Sequence, residues 1–133
     1  MATRKSRDFS HLSPPLLELV AGCFRALGDP TRLALLRALR EGEKTVQDLV
    51  AGTGWTQPNI SRHLAILARV GLVVRSKRGV HVYYGVADAR VFTLCDGVCA
   101  HVDRVLAGYA AAGRRSPGLR KRPGNPARTD ARA

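Results

Sequence analysis

The chain has 133 residues, 45% of them apolar, which is the length of one domain and enough to bury an ordinary core. Its 22 Lys and Arg against 10 Asp and Glu leave a formal charge of +12, which calls for a polyanionic partner, either nucleic acid or an anionic membrane surface. A membrane is the poorer choice: no run of about 18 apolar residues exists to span a bilayer, and the opening MATRKSRDFSHLSPP has no apolar core for a signal peptide.

The expected location is therefore cytoplasmic, and the three cysteines, an odd number, are expected as reduced thiols rather than a disulfide framework. Residues 1–12, with Arg4, Lys5 and Arg7 against Asp8, read as a flexible basic arm. Residues 13–112 read as one folded domain. Its first helix opens at Ser13 with Pro14 at the first position and carries the stripe Leu16, Leu19, Val20, Cys23 and Leu27. A second helix is capped by Asp29 and runs from Pro30 toward Gly42, with the capping carboxylate at the positive end of the helix dipole. A short third helix over Val46 to Ala51 follows Thr45 and ends at Gly52, and Gly54 lets the chain turn.

The fourth helix carries the most information. Thr56 is placed as its N-cap, with Gln57 and Pro58 in the first turn. Ile60, Leu64, Leu67, Ala68 and Val70 form an apolar stripe. Gln57, Asn59, Ser61, Arg62 and His63 fall off that stripe and have the chemistry that reaches base edges and phosphates, with packing as the other role for His63. Gly71 closes the helix. Strands at about 72–76 and 81–86 follow, rich in β-branched and aromatic residues. Lys77 and Arg78 sit at the hairpin tip with Gly79 in the turn, placed to meet DNA backbone or minor groove; His81 and Tyr83 share one face, and Tyr84 is expected to pack inward. A last helix from Asp88 presents Val91, Leu94, Cys95, Val98, Val102, Val105 and Tyr109 on one face. So long a stripe in so small a domain is expected to be buried against a second subunit, with help from the first helix.

Two helices around a tight turn followed by a basic hairpin make a winged helix-turn-helix, mostly α with a small β-hairpin wing, and double-stranded DNA is the expected partner. The runs ALGDPTRLALLRAL (26–39), QPNISRHLAIL (57–67) and VGLVVRSKRGVHVYY (70–84) resemble the ArsR/SmtB family of bacterial winged-helix repressors, over roughly residues 14–110. The resemblance implies a homodimer, joined through the first and last helices. It also implies an operator, an imperfect palindrome with half-sites about one helical turn apart, that is released by an inducer. Such inducers are commonly a metal or metalloid ion, sometimes an oxidant or sulfide species.

Cys95 and Cys99, four residues apart on the last helix, are the candidate chemistry. Their side chains lie one turn from each other and suit a shared soft metal or metalloid ion, or stepwise oxidation. Cys23 could approach them from the same or the partner subunit. The competing reading is that all three are small buried hydrophobes, in a DNA-binding regulator with no inducer. The resembled family offers a rival metal site, which Asp88 and His101 match in position. Arg90 and Arg104 stand where its other two ligands belong, and arginine has no lone pair to give. The family's Cys pair in the third helix is absent from VQDLVAG. No glycine-rich phosphate loop, nucleophile turn or carboxylate pair suggests an enzyme. Residues 113–133 hold seven basic side chains and one acid among repeated Pro and Gly, and read as a disordered basic tail that either attracts phosphates or only solubilises.

Overall fold

The computed structural model describes residues 7–115, so the first six residues of the N-terminal arm and residues 116–133 of the basic tail lie outside the described residues. Within the arm, Phe9–His11 form a 3-10 turn whose Asp8 carboxylate accepts the Ser10 N–H. The elements then run α1 (Pro14–Leu27), α2 (Pro30–Leu39), α3 (Val46–Thr53), α4 (Gln57–Arg69), β1 (Val73–Arg78), β2 (His81–Val86) and α5 (Arg90–Ala111). Among the described residues no helix is long and apolar enough to cross a membrane.

Local chemistry explains the boundaries. Asp29 accepts the Thr31 and Arg32 N–H groups at 2.9 and 3.1 Å, which satisfies two orphan donors of α2. Helix α2 stops at Leu39, short of Gly42. Thr45 and Asp48 form a reciprocal capping box on α3. Helix α3 runs on to Thr53 rather than stopping at Ala51. Gly52 stays helical, and Gly54, at φ 72°, takes the left-handed position that ends the helix, its N–H bonding the Val50 carbonyl at 2.8 Å. Ser13 and Thr56 have extended backbone at the starts of α1 and α4, but neither hydroxyl makes a capping bond. There the prolines of the first turn carry the signal, because their missing N–H leaves one orphan fewer. Gly71, at φ 76°, closes α4 as the sequence predicts.

The core gathers Leu35 and Leu36 of α2, Leu49 of α3, Ile60, Leu64 and Leu67 of α4, Val73 of β1 and Val91 of α5. Helices α3 and α4 are thus held against α2 as one block, with the wing attached to its edge. β1 pairs antiparallel with β2 from Val73↔Val86 to Arg78↔His81, and Lys44 bridges Tyr84 through two backbone hydrogen bonds of 3.0 and 2.8 Å. Tyr84 packs against the core.

Helices α1 and α5 are only partly used inside one protomer. On α1 the C-terminal Ala26 and Leu27 are buried, whereas Leu19, expected in the stripe, is 69% exposed. On α5, Val91 is buried and Phe92 and Cys95 reach the core, but Leu94, Val98, Val102 and Val105 stay exposed. The apolar stripe therefore continues for several turns past the point where the protomer can cover it.

Candidate nucleic-acid interface and thiol pair

Helix α4 presents Gln57 and Arg62 to solvent, with Ser61 half-buried and Thr56 exposed just before the helix. Asn59 and His63, expected on the reading face, are instead 6% and 5% exposed. Successive residues turn by about 100° on a helix, so positions 59 and 63 flank the row Ile60, Leu64, Leu67, and the buried face is wider than the apolar one. Asn59 still bears on the reading face, since its Oδ1 accepts a 3.4 Å hydrogen bond from the Arg62 guanidinium.

The wing separates residues that the sequence places side by side at its tip. Cross-strand partners share a face, so Arg78, His81, Tyr83 and Ser76 lie on one side of the hairpin and Lys77, Arg75, Val82 and Tyr84 on the other. Lys77 and Arg78 therefore point to opposite faces of the wing. The Arg78 guanidinium stacks 4.9 Å from the centre of the Tyr83 ring and pairs with Glu43, while His81 meets the same ring edge-on at 6.4 Å. The loop between α2 and α3 thus orients the wing arginine through Glu43, a role that no local pattern in the sequence signals.

On α5, Cys95 is half-buried and Cys99 is exposed, and both line an apolar groove of about 700 Å³ between α5, α2 and the end of α1. Burial pushes the Cys95 thiol above its ordinary pKa, and the neighbouring Cys99 and Asp96 push the same way against Arg40. Arg40, at the end of α2, grips Asp96 with two 3.0 Å hydrogen bonds and lies over Phe92, pinning the start of α5 beside the thiols. Cys23 lines a different and smaller concavity, where its thiol reaches the Val70 carbonyl at 3.8 Å.

Residues 29–74, from the α2 cap through the first residues of the wing, match the family model described as bacterial regulatory protein, arsR family. The regulator NmtR of Mycobacterium tuberculosis is 32% identical over 80% of this chain and 88% of its own length. The chain belongs to the ArsR family. A probable mercury resistance operon repressor of Streptomyces lividans is 42% identical over 58% of this chain, which spans 62% of that relative. Among solved structures, a homodimeric winged helix-turn-helix DNA-binding domain from Mycobacterium bovis superposes with a TM-score of 0.61 at 32% identity, over 75% of this chain and 91% of that one. Membership makes this chain a transcriptional regulator rather than an enzyme.

Within that family frame, the rival ligand positions are engaged otherwise. Asp88 accepts the Arg90 N–H at 2.9 Å and the Arg90 guanidinium at 2.6 Å, and these hydrogen bonds hold its carboxyl down at about pKa 2. The helix itself starts at Arg90, two residues after Asp88, with Ala89 in the cap position, so Asp88 acts as an outlying cap tied to an arginine. His101 stands exposed on α5, and among the described residues no group of three or more His, Cys, Asp or Glu side chains is gathered to hold a metal ion.

Proposed function

We propose that this ArsR-family chain is a homodimeric operator-binding repressor, and that a soft, thiophilic inducer captured by Cys95 and Cys99 releases it. The observation that carries the second half is the position of the pair: one helical turn apart on α5, at the edge of an apolar groove, on the helix whose uncovered stripe suits it to build the dimer. The name of the mercury operon repressor from Streptomyces lividans supports a soft metal as the inducer class. Thiolate pairs prefer such ions, and the Asp88 and His101 positions suit them poorly. In this reading the dimer joins through α1 and α5, and a small change at the thiols alters the distance between two α4 helices that must match a fixed half-site spacing.

Because burial raises the Cys95 pKa, the thiol is protonated at neutral pH and must lose its proton when it binds an ion. Affinity for copper(I) should therefore rise with pH up to the raised pKa, whereas uncharged arsenous acid carries the thiol protons off as water and should bind with little pH dependence. The deciding measurement is operator affinity with and without arsenite or copper(I), in wild type, Cys95→Ser and Cys99→Ser. Release is expected in the wild type and lost in both variants, a coupling of about 1–3 kcal/mol, or one to two decades in occupancy. Release that survives in both variants would leave the thiols as packing residues. That second reading, an inducer-independent regulator, is favoured by one observation: Cys95 already packs against the core.

DNA reading is assigned to Gln57, Ser61 and Arg62 of α4, with Thr56 before it and Lys77, Arg78 and His81 on the wing as backbone contacts. Arg62→Ala should cost roughly 1–3 kcal/mol and relax preference at one base pair if Arg62 grips a guanine, or weaken all sequences alike if it holds a phosphate. An unchanged affinity would take this face of α4 out of the interface. The basic arm (1–12) and tail (113–133) flanking the folded unit (13–112) are proposed as accessory phosphate-attracting segments.

A further inference from the structure

His63 lies on the recognition helix, nearly fully buried, and its Nδ1 sits 3.3 Å from a guanidinium nitrogen of Arg32. The same guanidinium donates to the Ala26 carbonyl through Nε and to the Arg25 carbonyl at 3.1 Å. Those carbonyls belong to the last turn of α1, where backbone acceptors run short of helical donors; the Arg25 carbonyl also accepts the Gly28 N–H at 3.3 Å. One side chain of α2 thus ties the end of α1 to the middle of α4.

The chemistry of this contact selects one form of the ring. Arginine carries only donors, so Nδ1 must keep its lone pair and the imidazole proton must sit on Nε2. Nε2 is buried without a hydrogen-bonding partner among the described residues. A second proton would place a donor and a charge directly against the guanidinium. We propose that Arg32 and His63 form a strut that sets the pose of the recognition helix against the end of α1, and that the strut holds only while His63 is neutral with its proton on Nε2. The consequence for operator binding rests on the DNA reading above; the strut itself does not.

The charged groups facing the ring are Asp29 and Arg32 from the start of α2 and Arg62 from α4, while α1 contributes only carbonyls that Arg32 occupies. Burial pushes the imidazole below the ordinary histidine range; Asp29 opposes that, and Arg32 and Arg62 add to it. A lowered folded pKa means that the unfolded chain takes up the proton first. The strut is therefore intact above about pH 6.5 and is lost as pH falls through the lowered value.

The experiment measures binding of a duplex selected from a random library by the wild-type protein, at constant salt, from about pH 8 to about pH 5. Wild type should lose roughly tenfold or more in affinity on the acid side, the worth of one or two charged hydrogen bonds. His63→Asn keeps an acceptor at the Nδ1 position and cannot titrate, so it should bind normally at neutral pH with a flatter profile. Arg32→Lys cannot reach both carbonyls and the ring, and should bind roughly tenfold more weakly at neutral pH while remaining folded by circular dichroism. A His63→Asn profile that follows the wild type overturns the proposal, as does full affinity in Arg32→Lys. Nitrogen-15 spectra of the His63 ring, recorded without DNA, give a reading independent of any variant's folding: a neutral Nε2–H ring is expected, and an Nδ1–H or charged ring at neutral pH sinks the strut. Should no duplex be selected at all, the DNA reading fails, and the ring spectrum still decides the strut.

Discussion

Raising salt from about 50 to about 200 mM is expected to cut operator affinity by roughly three to five decades. The steepness is set by the cations able to reach phosphates. Arg62 and Arg69 on α4 and Arg75 and Lys77 on the wing are exposed, Arg78 joins them if it exchanges Glu43 for a phosphate, and three to five such contacts per protomer give about 6–10 in a dimer. Arg25, Arg40 and Arg90 are already engaged, with Glu18, Asp96 and Asp88 respectively. Each phosphate neutralised releases a condensed counterion, which is why the dependence is steep and independent of base sequence. Arg62→Ala and Lys77→Ala should each lower the slope by about one or two in the dimer. Deleting residues 113–133, with their seven basic side chains, should flatten it further if the tail meets DNA. Equal slopes for full-length and truncated protein would reduce the tail to a solubilising end, and a nearly flat slope for the full chain would contradict a phosphate-dominated interface.

Leu64→Ala is expected to destabilise the fold by about 2–5 kcal/mol, the range for removing a buried leucine side chain. Leu64 has no exposed surface and stands between Ile60 and Leu67 on the face where α4 meets α2 and β1. Removing its branch leaves a void that the surrounding leucines cannot close without moving backbone. At about 4 °C per kcal/mol for a domain of this size, the melting midpoint should fall by roughly 8–20 °C. Leu64→Met, which nearly conserves volume, should cost less than about 1.5 kcal/mol. Both are compared at one protein concentration, since dimerisation adds to apparent stability. A Leu64→Ala midpoint within a degree or two of wild type would mean that α4 is not anchored by this core.

Much of the molecule is written in short-range patterns. The caps of α2 and α3, the prolines that open α1, α2 and α4, the left-handed glycines at 54 and 71, and the alternation of β2 act within a few residues of themselves, and so they locate the elements from sequence. Even the separation of Lys77 from Arg78 was available, because neighbours on a strand always face opposite ways. The apolar rows of α1 and α5 likewise declare that a second surface must cover them, although only the packed protomer shows that Leu19 lies outside the part it can bury itself.

What the chain's own sequence determines, then, is the winged helix-turn-helix, its basic reading edge and the one-turn spacing of Cys95 and Cys99, all properties of residues no more than a few positions apart. Tertiary structure alone decides which polar residues turn inward and which charges are spoken for. Asn59 and His63 look like reading residues until packing buries them, His63 against Arg32 of α2, because hydropathy describes a side chain and burial describes its surroundings. Arg32 reaches His63 across 31 positions, Arg78 reaches Glu43 across 35 and Arg40 reaches Asp96 across 56. Such pairings depend on how the helices dock, and docking is the sum of many weak apolar contacts that no single stretch of sequence contains.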